Sequence, residues 1–417
     1  MALSKSSVLH YWSSRFGINP RVGGRPSFTR NSAGLFTTQE GEVDTAIVNT
    51  PRFDWATLNL PNSLTERRKV LTLELASTNI IDVDFASWTL TNLTPTTGQA
   101  DPAGGTLGQL LNSTVAGGSC ARTFAFTTGT KGYSLRLKAG SAALTQFGIL
   151  ANGAVWRGLV SVTWSGGVPA LSSAAGSPVL FPVEALGGGY YEIQAAIPGV
   201  VSSDTNAAYF FPGANSGTGS VYSYKPQIEA ALFCTSLIGG FAASRAADSL
   251  YWNFPPVPQA MMMYARFVEQ GSILSTDTAR IFRAGSAAAP RLLIFNVVTG
   301  YSAYHNQGTA VQSALAAASV IGDTVELLLI LFLDGSIQLV QSINGAAVSS
   351  GAQSAANAFA AAWSDTRLYL NEGSTGVGSN KFAEIKVVKY ADVVASTAQE
   401  IMNELRAFEL GPNGDVL

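Results

Sequence analysis

The sequence predicts an all-β protein: two antiparallel sandwiches in tandem, preceded by an extended N-terminal arm and closed by a short C-terminal helix. Short apolar runs recur along most of the chain, separated by clusters of Gly, Asn, Ser and Pro. Only 12% of residues are charged while 42 are glycine, a mixture that suits short strands and many turns. No helical stretch interrupts the first set of strands.

The arm spans residues 1–70, which show little periodicity. Its first 39 residues carry Lys5, Arg15, Arg21, Arg25 and Arg30 and no acidic residue. Such a basic stretch is either a solvated tail or a docking segment for an acidic partner. The first sandwich spans residues 71–248. It opens on the alternation of Leu71, Leu73 and Leu75 with Val70, Thr72 and Glu74, and strands are expected over 121–126, 133–138, 146–150, 159–164, 190–197 and 207–211.

The second sandwich spans residues 249–417, with strands expected over 260–267, 279–283, 291–298, 324–333, 336–343 and 367–370. Asp334-Gly335 and Asn344-Gly345 are hairpin signals, because glycine accepts positive φ. The run 327–333 reads as a buried strand bracketed by Glu326 and Asp334, too short to span a bilayer. A helix starts at Ser396-Thr397 with Ile401, Leu405 and Phe408 along one side, and Gly411-Pro412 stops it.

Length and composition narrow the function. A chain of 417 residues with 47% apolar content holds two or three cored domains. The net charge of −2 argues against a general nucleic-acid binder, and the low charge implies surfaces covered by partners. The first 20 residues lack the apolar core of a secretory signal. Cys120 and Cys234 read as free buried thiols, since two cysteines do not make a disulfide framework.

The inventory for chemistry is thin. His10 and His305 are the only histidines, and His305 reads as an exposed loop residue. No metal-ligand spacing, nucleophile elbow or phosphate loop is present, so neither cofactor nor metal is expected. Asp82 and Asp84 could serve as a carboxylate pair, but strand-edge solvation explains them as well. Sugar binding instead uses aromatic rings, on which the apolar face of a pyranose stacks. Candidates are Trp156, Trp164, Tyr190, Tyr191, Tyr301, Tyr304 and Trp363, with Asn306 beside Tyr304. Trp88 and Trp164 read as core. Only one of Tyr190 and Tyr191 can point inward on a strand. Tyr301, Tyr304 and Asn306 follow Gly300 and look like an exposed loop.

Gln227-Ile228-Glu229, Cys234-Thr235-Ser236-Leu237-Ile238 and Ser244-Arg245-Ala246-Ala247-Asp248 follow in that order. Upstream stand Arg25-Pro26-Ser27-Phe28-Thr29-Arg30 and Asn49-Thr50-Pro51-Arg52-Phe53-Asp54. This order resembles the carbohydrate-binding-like jelly rolls of bacteriophage fibre and decoration proteins. Phe382-Ala383-Glu384-Ile385 to Tyr390 resembles the closing strands of concanavalin A-like, laminin-G-like lectin domains. The resemblance implies two jelly-roll sandwiches in a virion protein assembled in the host cytoplasm, with capsid or tail proteins as partners. It further implies a homo-oligomer, a trimer by that family's habit, and adhesion to host surface polysaccharide. No enzymatic activity and no membrane insertion are expected. A purely structural cement protein is the alternative, and a polysaccharide depolymerase a third.

Overall fold

The computed structural model describes residues 8–13, 27–29, 34–37, 43–46, 52–73, 77–81, 84–125, 127–231, 234, 244–245, 248–253, 260–270, 279–285, 291–297, 300–307, 309–315, 318–359, 367–370, 380–389 and 397–408. The chain divides into two compact units. One comprises Ser32–Ile47 and Ala76–Ala246; the other comprises Met1–Asn31, Val48–Leu75 and Ala247–Leu417.

The first unit is a jelly roll. One sheet runs in the order Gly108–Ser113, Gly219–Glu229, Gly129–Ala139, Tyr191–Val200. The facing sheet runs Ser119–Phe124, Asn206–Phe211, Leu144–Ala151, Val155–Ser165. Pairing is antiparallel throughout these eight strands. Taken in chain order, the strands switch sheets so that first pairs with last and second with second-to-last, which is jelly-roll connectivity. Strict alternation fills the space between the sheets: Tyr133, Leu135, Phe147, Ile149, Val160, Val162, Ile193, Phe210 and Val221 all point inward. Phe85 stacks on Phe210 at 5.2 Å, and Tyr133 meets Phe147 edge-on at 5.0 Å. Trp88 and Cys120 lie in this core. Cys120 and Cys234 are both buried free thiols, and burial pushes both thiols up from their ordinary range.

The Gln-Ile-Glu run closes this unit. Ile228 enters the core, while Gln227 and Glu229 are buried on the other side of the strand. The Glu229 carboxylate accepts from Gln227 and Ser77, and Ile80 N–H donates to Ile228 O at 2.9 Å. Ser77–Thr78 pairs with Ser244–Arg245, so the segments entering and leaving the unit are held side by side.

The second unit is a sandwich of an eight-stranded and a seven-stranded sheet with a helix on its outside. Met261–Glu269 and Thr324–Leu331 are buried along their whole length because both faces of their sheet are covered, and they are apolar except at Arg266, Glu269, Thr324 and Glu326. Met261, Met263, Phe267, Leu327 and Leu329 face the sandwich core. Met262, Tyr264, Leu328 and Ile330 face Ile401, Met402 and Leu405 of the Ala398–Ala407 helix and Phe408, which caps its C-terminus. Thr397 caps that helix reciprocally with Glu400, a contribution of about 1 kcal/mol. The expected stop at Gly411-Pro412 lies outside the described residues. Both hairpin signals form turns: Gly335 has φ 75°, and Asn344 and Gly345 have φ 51° and 71°. Leu333, expected in the buried strand, is exposed in the first of these turns.

Residues 1–70 are not an extended arm where they are described. Val8–Ser13 and the Arg52–Asn59/Thr65–Leu73 hairpin share one edge of the Asn380–Lys389 strand, and Ser27–Thr29 pairs with Ser249–Asn253. An unpaired edge presents unsatisfied backbone groups, and Val8–Ser13 and Thr65–Leu73 satisfy that of Asn380–Lys389 from more than 300 residues away. Tyr11 is accordingly buried beneath the helix.

His305 is also a correction. Residues 300–306 form a strand, not a loop, and its period of two buries His305. One ring nitrogen, Nδ1, is 2.8 Å from Gly335 O. Burial lowers the imidazole's pKa, partly offset by the Gly335 hydrogen bond. The folded state therefore keeps the ring neutral, and the unfolded state takes up the extra proton. Stability of this unit is expected to fall as pH drops below about 6.5, the ordinary imidazole value. A His305→Gln variant is expected to flatten that part of the curve in thermal melts.

Candidate functional site on the outer face of the jelly roll

The Asn206–Phe211 strand reads Asn-Ala-Ala-Tyr-Phe-Phe. Its alternation sends Ala208 and Phe210 into the core, so Tyr209 and Phe211 stand on the outer face. On the neighbouring strands the same parity brings Gln146, Gly148 and Leu150, then Leu159, Ser161 and Thr163, then Ser119, Ala121 and Thr123. None of these positions is charged. In register, Tyr209 lies between Gly148 and Ala121, two of the smallest side chains available.

Trp156 completes an aromatic group. Its strand slips register between Ile149 and Leu150, placing Trp156 opposite Leu150 and leaving Arg157 as the extra residue of a bulge. The indole meets Tyr209 at 5.7 Å and Phe211 at 6.1 Å, both edge-on, while Tyr209 and Phe211 stack at 5.6 Å and 10°. Trp156 and Tyr209 are half-buried, Phe211 is 4% exposed, and Val155 beside them is 54% exposed.

Polar groups border this platform at both ends. At one end Arg157 pairs with Asp204. Asn152 Nδ2 donates to Asp204 Oδ1 at 3.0 Å and Asn152 Oδ1 accepts from Thr205 N–H at 2.9 Å. The Arg157 and Asn152 hydrogen bonds hold the Asp204 carboxyl below its usual range. At the other end Gln146 Nε2 donates to Ser161 Oγ at 3.1 Å, and Gln146 Oε1 accepts from Asn215 N–H at 3.0 Å. The rim is thus rich in donors and acceptors, and the Arg157 cation in it is matched by Asp204.

The other expected sugar-binding residues do not join this group. Tyr190 is 1% exposed, packed with Leu186 and Tyr224, and donates from Oη to Ala100 O at 2.8 Å. Burial, with Asp101 nearby, pushes its phenol up to about 12. Tyr191 packs against the core and meets the Trp164 ring at 6.5 Å. Tyr301 is buried, with its Oη 2.9 Å from Glu269 Oε2 and 2.7 Å from Ser319 Oγ. Tyr304 and Asn306 point the opposite way on that strand and are half-buried, in the other unit from Trp156. Asp84 accepts from Gln109 at 2.5 Å; Asp82, Trp363, Lys5, Arg15, Arg21, Arg25 and Arg30 lie outside the described residues. Among the described residues no group of three or more His, Cys, Asp or Glu could hold a metal ion, and no helix is long and apolar enough to cross a membrane.

No family model matches the sequence, and no curated protein does. Among solved structures, domains LG4-5 of the mouse laminin alpha1 chain are similar at 10% identity and a TM-score of 0.24, over 68% of this chain and 90% of that one. The LG1-3 region of the laminin alpha2 chain is similar at 9% identity and a TM-score of 0.21, over 69% of this chain and 64% of that one. At these scores the likeness carries no weight for function. The all-β sandwich assignment rests on the strand order and pairing described above.

Proposed function

We propose that this chain is a non-catalytic adhesion protein whose jelly-roll unit binds neutral sugar residues of a surface polysaccharide on Trp156 and Tyr209, with Phe211 packed against them as support. The observation that carries this is a set of three mutually packed rings on a sheet face where the neighbouring Arg157 is paired with Asp204. A pyranose presents an apolar C–H face that stacks on such rings, and its hydroxyls match the amide and hydroxyl groups of Gln146, Ser161 and Asn152. With Arg157 matched by Asp204, the rim gives no preference for an anionic sugar. Display on a bacteriophage particle is supported by the order of motifs from Arg25 to Asp54 and from Gln227 to Asp248.

Titration of purified protein against neutral and acidic host polysaccharides tests the reading. Neutral polysaccharide should bind with little dependence on salt. Trp156→Ala and Tyr209→Ala should each weaken it about tenfold, the worth of one good ring contact. Both variants should melt within a few degrees of the native chain, because neither ring belongs to the core. Release of reducing ends would point to a depolymerase. Failure to bind any polysaccharide, with virions still decorated, favours the cement-protein reading, which the low charge content also supports.

A further inference from the structure

Of the described strands at the sheet edges of the jelly-roll unit, Val168–Gly176 is the longest, at nine residues. The others are blunted: Thr89–Thr91 has three residues, Val179–Leu180 and Glu184–Ala185 have two each, and Leu93–Gln99 is interrupted by Pro95 and Gly98. Natural edges are protected by charge, shortness or cover. This one is long and, among the described residues, neither charged nor covered, its irregularities being confined to Pro169 near one end and the bulge at Ala174: residues 158–183 contain no charged side chain, and Val168, Ala170, Ser172, Ser173 and Ala174 are exposed.

The direction of its free hydrogen-bonding groups follows from its neighbour. Trp164 N–H donates to Ala143 O, away from Val168–Gly176, so Trp164 and Pro169 form a non-hydrogen-bonded pair. Alternation then turns Ala170 and Ser172 toward the Val155–Ser165 strand, and leaves N–H and C=O of Leu171 and Ser173 on the open side. Pro169, which has no N–H to offer, occupies an outward position where its lack of a donor does no harm. The bulge at Ala174 limits the regular stretch to residues 168–173.

We infer that this edge pairs antiparallel with the same edge of a second copy, about a two-fold axis through Ser172. Leu171 of each copy then exchanges both backbone hydrogen bonds with Ser173 of the other, about four bonds in all. The occupant is a second copy because the stretch is self-complementary under that axis: small, uncharged side chains face their own kind, and nothing repels. An isologous contact of this sort closes at two copies. If the platform binds sugar as proposed above, pairing also joins the two outer faces into one sheet. From Phe211 through Gln146, Ser161 and Ser172 to the second copy is seven strand spacings, which sets the platforms roughly 34 Å apart. Two such sites on one polysaccharide strand gain avidity.

The test is sedimentation velocity on the full chain with a charge-swap pair. The native chain should dimerise reversibly with concentration. S172K and S172E each place two like charges opposite one another across the axis, so each alone should be monomeric, and an equimolar mixture should dimerise again. Restoration shows that both variants are folded. A monomeric native chain, an S172K chain that still dimerises, or a mixture that stays monomeric would each overturn the inference. Tyr209→Ala should leave the dimer intact, so failure of sugar binding and failure of pairing are read separately.

Discussion

Glu326→Ala is expected to destabilise the helix-capped unit by about 3–5 kcal/mol, the usual cost of removing one partner from a buried ionic cluster. Glu326 is 1% exposed and lies between its sheet and the helix. Its Oε1 accepts from Tyr264 Oη at 2.6 Å and Arg266 Nε at 3.1 Å, and Oε2 from Arg406 Nε at 3.0 Å. Beside it, Glu384 is 3.1 Å from Lys386 Nζ and 3.5 Å from Arg266 Nη1, and accepts from Tyr11 Oη at 3.3 Å. Lys386 also donates to Leu405 O at the end of the helix. Removing one carboxylate leaves buried cations without their match. The loss should appear as a melting midpoint lower by about 10 °C, taking 2–4 °C per kcal/mol.

The same cluster has a pH signature. Burial would raise the Glu326 pKa, but the hydrogen bonds and charges of Arg406 and Arg266 outweigh it and hold the group below its ordinary 4.5. A carboxyl depressed by folding contributes stability that is present above the unfolded value and lost as pH falls through the folded one. Melting points of the native chain should therefore drop steeply below about pH 4.5, and Glu326→Gln should remove part of that slope. An unchanged slope would mean that the cluster does not couple the helix to the sheet.

Phe210→Ala is expected to cost the jelly-roll unit about 3–5 kcal/mol. Phe210 is fully buried, stacks on Phe85 and sits in register with Phe147 and Cys120. No neighbour can close the space, since both sheets hold its walls. The contrast with Tyr209→Ala is informative, because adjacent aromatics on one strand should fail in opposite ways. Phe210→Ala should lower the denaturation midpoint, whereas Tyr209→Ala should weaken sugar binding at nearly unchanged midpoint. If both lower stability equally, the platform is packing and not a binding surface.

Period-two alternation was enough to reveal most strands of the jelly roll, because one face of each packs inward and the other does not. The Asp334-Gly335 and Asn344-Gly345 turns were legible for an equally local reason, as was the helix with Ile401, Leu405 and Phe408 on one side. The same alternation places Tyr209 and Phe211 on the face opposite Phe210, so the sequence carries the signal for them as well as for Tyr190, Tyr191 and Tyr301. Tyr190 and Tyr301 are buried because exposure depends on what covers a face, whereas Tyr191 is half-buried. Tyr190 is roofed by Leu186 and Tyr224, and Tyr301 continues a strand where Gly300 suggested a loop.

The chain by itself thus determined an all-β class, two successive sandwiches and the turns between their strands, since these follow from local periodicity and backbone preference. Only the tertiary structure decided that N-terminal strands complete the last sheet, that Glu326 and Arg266 are buried together under a helix, and that Trp156 meets Tyr209 and Phe211. Each of those depends on contacts between residues tens to hundreds of positions apart, whose partners no local pattern names.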